Sequence, residues 1–142
     1  MENFRVLRRK IRARIKDLLR EELPINRFSG RSAALSVEDL PAALIYFPSE
    51  RIADPIGDFQ ARELELRVEL AIRPKADAED EVFDLSDRVE DTLLGDLQLD
   101  GLVSSIDLES LEYVLDGDGD SVIAAAQQTY RLKYLSEEPR HT

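Results

Sequence analysis

The chain has 142 residues, with 19 basic and 30 acidic side chains for a net charge of −11, and no cysteine. A single domain with a real hydrophobic core is the simplest organisation at this length. Disulfides are excluded, and so acidic a balance argues against wrapping nucleic acid, whose phosphates demand Lys and Arg.

The charge is unevenly placed. Residues 1–23 hold eight basic and four acidic side chains, whereas Asp77–Asp120 holds sixteen acids against one base, Arg88. No apolar run approaches the length of a membrane span, and the basic start leads into no signal-like segment. The expectation is a soluble, cytoplasmic protein with no membrane partner.

Residues 2–22 read as a helix, because Phe4, Leu7, Ile11, Ile15, Leu18 and Leu19 recur at three- and four-residue spacing. Its other faces carry Arg5, Arg8, Arg9, Lys10, Arg12, Arg14, Lys16 and Arg20, and Pro24 ends it. A docked helix with a solvated basic face is the plainest account. Pairing with an acidic surface is the sharper one, and nucleic-acid binding ranks below both because no aromatic residues interleave the cations. Residues 25–39 read as loop, punctuated by Ser29-Gly30, with Ala33-Ala34-Leu35 as a short candidate strand.

Leu40–Pro74 is the organising stretch. Pro41–Pro48 is a short apolar run whose Ile45, Tyr46 and Phe47 favour a strand. The connection from Ser49 to Phe59 carries the loop-forming pairs Asp54-Pro55 and Gly57-Asp58. A strict alternation follows, with Leu64, Leu66, Val68, Leu70 and Ile72 on one face. Glu63, Glu65, Arg67, Glu69 and Arg73 line the other, interrupted by Ala71. That pattern describes a long strand with one face on a core, antiparallel to the strand before it.

Asp77 is placed to cap a second helix, with Asp80 at its third position, and Gly95 to end it. Val82, Leu85, Val89 and Leu93 form its stripe; its exposed faces are almost wholly acidic. Gly101–Ser105 reads as a turn or short helix. Ile106–Leu115 is a strand whose apolar parity changes, which a bulge near Glu109 or Ser110 would reconcile. Asp116-Gly-Asp-Gly makes a hairpin turn, Val122–Tyr134 the returning strand, and Ser136–Thr142 a polar tail. The fold class is α+β: a mainly antiparallel or mixed sheet of about four strands against two main helices.

Catalytic equipment is sparse. The twelve-residue calcium loop needs glycine sixth and glutamate twelfth; counted from Asp116, those positions are Ser121 and Gln127, so a turn is the better reading. Asp80, Asp84, Asp87 and Asp91 could suggest an acidic metal-dependent enzyme. However, the sole histidine, His141, lies in the tail. There is no phosphate loop, nucleophile elbow or triad. No catalytic residue, metal ligand or cofactor is assigned, and the expectation is a protein that is not an enzyme.

The succession of elements is similar to the minor tail protein U family of lambda-like phages, the tail terminators. Leu40–Tyr46, Glu63–Ile72 and Thr129–Tyr134 carry the resemblance, which spans roughly Leu18 to Tyr134. It implies one terminator-like α+β domain over residues 1–135, with 136–142 as a flexible tail. It further implies a structural subunit of the virion tail, assembled in the host cytoplasm. Such subunits close into a hexameric ring on the head-proximal end of the tail tube, stop its growth, and present a surface to the head. The implied partners are further copies of the chain, the major tail tube protein and the head-tail connector protein. DNA would pass through the channel unheld, which an acidic lumen would favour. A ring needs two different patches that meet. The contacts expected on that basis are Arg8, Arg9 and Arg12 on the first helix, and Glu50, Arg51 and Asp54 in the connection. Glu63, Glu65 and Arg67 on the long strand join them, with Asp84, Asp87 and Asp91 on the second helix. A head-closure or neck protein, another tail-assembly subunit, and a binding module outside any phage are the competing readings.

Overall fold

The alternation around Leu66 is a 13-residue strand at the centre of a five-stranded sheet. The computed structural model describes residues 3–23, 27–29, 40–53, 55, 57, 59–96, 98–117 and 122–136. The elements are α1 (Phe4–Glu22), β1 (Arg27–Ser29), β2 (Ala42–Ile52), β3 (Gln60–Ile72), α2 (Ala78–Leu94), β4 (Ser105–Asp116) and β5 (Ile123–Ser136). The sheet order is β1-β2-β3-β5-β4; all pairings are antiparallel except β1 with β2. The sheet is therefore mixed and mainly antiparallel, with four long strands as expected and a short fifth. That strand lies at 27–29, where the sequence reads as loop; the candidate strand Ala33–Leu35 lies outside the described residues.

Cross-strand register assigns the faces. Ile45, Val68 and Gln128 lie across from one another on β2, β3 and β5, and each is buried. Leu64, Leu66 and Leu70 on β3 continue this face, as do Ala124, Ala126, Tyr130, Leu132 and Tyr134 on β5. Both helices cover it, and Phe4, Leu7, Ile11, Ile15 and Leu19 of α1 share one core with Val82, Leu85, Val89 and Leu93 of α2. The opposite face of the sheet carries no helix among the described residues. Hydrophobic burial thus uses one side of the sheet.

The caps follow local chemistry. The Asn3 side-chain oxygen accepts from the Val6 N–H at 3.0 Å, and the Asp77 carboxylate accepts from the Asp80 N–H at 3.0 Å. Gly95 ends α2 in a right-handed conformation (φ −72°) rather than a left-handed one.

Two strands depart from their sequence boundaries. The ladder between β2 and β3 shifts between Tyr46 and Ser49, around Pro48, and pairing resumes to Ile52. A proline cannot donate to the ladder, so the strand bulges there instead of ending. Glu50 and Arg51 are consequently strand residues, not part of a loop from Ser49 to Phe59. At the other end, β5 runs through Ser136, which is buried, so Ser136 belongs to the sheet; the rest of the expected tail, 137–142, lies outside the described residues. The bulge expected in β4 is present between Leu108 and Ser110.

Candidate assembly surfaces

The helix-free face of the sheet is a chain of ion pairs. Arg51 meets the Glu63 carboxylate at 3.0 Å, and Arg131 meets the same oxygen at 2.9 Å. Arg131 also pairs with Glu109, so four strands are joined in the order β2, β3, β5, β4. The hydrogen bond from Arg51 holds the Glu63 carboxyl below its ordinary range against partial desolvation, with Arg131 adding to the effect. Beside this row, Arg67 lies 3.3 Å from Glu65, and the Tyr46 hydroxyl donates to Glu69 at 2.6 Å. Arg51 with Glu63 and Arg67 with Glu65 are therefore paired by charge within the subunit.

On the helix side, Glu50 anchors the start of α1. Its carboxylate takes ion pairs from Arg8 at 2.7 Å and Arg62 at 2.8 Å, and a hydrogen bond from the Tyr134 hydroxyl. Phe4 stacks edge-on against Tyr134 and lies under the Arg62 guanidinium, 4.0 Å from its ring centre. Arg8 and Glu50, both expected at subunit contacts, are thus brought together inside the molecule. Arg9 and Arg12 remain exposed. With Arg8, Phe47 and Leu64 they line a hollow of about 240 Å³ along the β2 side.

Asp84, Asp87 and Asp91 project from the outer face of α2, and all three are exposed. Among the described residues, no three acidic or imidazole groups gather closely enough to hold a metal ion. Asp54 lies outside the described residues.

Two features are absent from the sequence reading. The first is polar and buried: the Gln128 amide donates to the Ser86 carbonyl at 2.8 Å and to the Ser86 hydroxyl at 2.9 Å. Its oxygen accepts from the Tyr130 hydroxyl at 2.6 Å. Position parity along β5 puts Gln128 on the core face, and that signal could have found it. The second is apolar and exposed. Phe83 on α2 and Leu111, Tyr113 and Leu115 on β4 are each more than a third accessible. Phe83 and Tyr113 pack edge to face at 4.8 Å. Register alone could not have found this patch, since the same parity elsewhere in the sheet is buried.

Among the described residues, a sheet with helices on one face, helices of opposite outer charge and an exposed apolar patch on its outer strand define a class: a small α+β protein whose conspicuous features are surfaces for contact. The family model for phage minor tail protein U matches residues 6–134, and the chain belongs to that family. It is a structural component of a phage tail, acting with other tail or head components. A search of curated proteins finds no match.

Proposed function

We propose that this subunit terminates the phage tail: copies close into a hexameric ring on the head-proximal end of the tube, stop its polymerisation and present the surface to which the head attaches. The observation that carries this reading is the family match across residues 6–134. The charge split supports it, since ring closure requires two unlike patches on one subunit, and α1 and α2 carry opposite charge on their outer faces. The tube end, the major tail tube protein and the head-tail connector are the partners in this reading. DNA passes through the ring without specific binding.

Deleting the gene from its phage and imaging the lysate by electron microscopy tests the assignment. Overlong tails without heads are expected. Tails of normal length joined to heads would defeat it, and tails of normal length left unjoined would favour a head-closure role.

A further inference from the structure

We infer that the acid-rimmed apolar patch on the β4 side of one subunit seats against the basic hollow on the β2 side of the next copy of the chain. The inference rests on the ring reading for its context and supplies that reading with its contact surfaces.

Three observations lead to it. Phe83, Leu111, Tyr113 and Leu115 form a patch at the outer strand of the sheet, with exposures of 38%, 37%, 39% and 48%. Leu111, Tyr113 and Leu115 lie across from Gln128, Ala126 and Ala124, all buried on the helix side, so the patch continues the core outward past α2. Asp87 and Asp91 stand on the exposed face of that helix, whereas Asp84 turns to its other flank, in the hollow lined by Arg73, Lys75 and Arg88. An apolar centre with a charged rim is the anatomy of a protein contact.

The complementary surface is at the other side of the same subunit. Arg8, Arg9 and Arg12 enclose the hollow floored by Phe47 and Leu64. Arg14 pairs with Asp96 at 3.5 Å just beyond α2, so the Arg9 and Arg12 flank of α1 points away from the acidic helix of its own subunit. Cations and carboxylates that cannot meet within one subunit can meet between two. Because one patch lies on the β4 flank and the other on the β2 flank of the same helix-covered face, joining them is a head-to-tail operation that repeats from copy to copy, as a ring requires. Charge fixes the partner and register, and the aromatic pair, covered on contact, supplies the affinity.

The test is a charge exchange in the full chain. One variant carries Arg9→Glu and Arg12→Glu, the other Asp87→Lys and Asp91→Lys. Each is supplied in trans to phage lacking the gene and is also purified for sedimentation velocity at low salt. Each variant alone should lower phage titre and self-association by at least about a hundredfold, because like charges face each other. The two together should recover both, since every contact in an alternating ring then pairs opposite charges. Melting temperatures close to that of the unaltered chain establish folding. Phe83→Ser, which leaves the charges in place, should weaken association about tenfold. Variants that associate and complement like the unaltered chain overturn the inference, as does a folded pair whose mixture recovers nothing. A deletion phage with normal tails would defeat the terminator reading alone, and sedimentation would then decide this contact.

Discussion

Gln128 occupies a core position of β5 where the alternation asks for an apolar side chain, and three hydrogen bonds to Ser86 and Tyr130 keep it there. Burying an amide is costly unless it is paired, and here both ends are paired. Gln128→Ala should therefore cost about 2 kcal/mol or more, since it strands the Tyr130 hydroxyl as well as removing the amide. Urea unfolding measures this, and an unchanged midpoint would mean that the network contributes nothing net. On the other face, Glu63 makes stability depend on pH. Its carboxyl titrates below its ordinary value of 4.5 in the folded chain, chiefly through Arg51. The unfolded chain thus takes up a proton first as the solution is acidified. The contribution is complete above that ordinary value and is lost as pH falls through the depressed one. The stability gap between the parent chain and Glu63→Gln should be widest at neutral pH and close in acid; a gap that does not change with pH would contradict the ion-pair account.

At the scale of elements, β3 shows the consequence of strand parity. Leu66 is 1% exposed beneath the helices, whereas Glu65 next to it lies on the helix-free face beside Arg67. Leu66→Asp places a charge in the core without a partner and should cost about 4 kcal/mol or more, enough to unfold most of the population. Glu65→Ala removes one partly exposed ion pair and should cost no more than about 1 kcal/mol. Thermal melts of the two variants side by side check the assignment, and similar melts would mean the faces are exchanged. The same parity rule explains why α1 is held at its start. The bulge around Pro48 brings Glu50 to the helix side, level with Leu64, where Arg8 and Arg62 reach it. Without that bulge Arg51 would take the inward position, and its charge would repel Arg8.

For the whole molecule, the uneven charge matters more than the net value. A basic flank on one side and an acidic helix on the other give the subunit a polarity that pure acidity would not. Association through those faces should weaken as salt rises from about 0.05 M to about 0.5 M, because the screening length falls well below 10 Å over that range. Sedimentation across a salt series reads this out, and association that strengthens with salt would point to the apolar patch acting alone.

Much of this was legible in the residues themselves. The period of α1 and α2, the cap at Asp77, the alternation of β3 and the bulge after Leu108 are local, and each is set by side chains a few positions apart. The order of elements also carried the family resemblance. Tertiary structure decided what depends on distant partners. The three-residue β1 is a strand because β2 lies beside it, and it is too short to show a period. Glu50 and Arg8 are 42 positions apart, and no local pattern announces that an apparent surface pair ties a helix to the sheet. Leu111 and Leu115 look like core residues by strand parity, yet they are exposed because α2 meets that stretch of β4 only at its rim, where Phe83 packs on Tyr113. Local spacing fixes which face a side chain occupies; only packing decides whether anything covers that face.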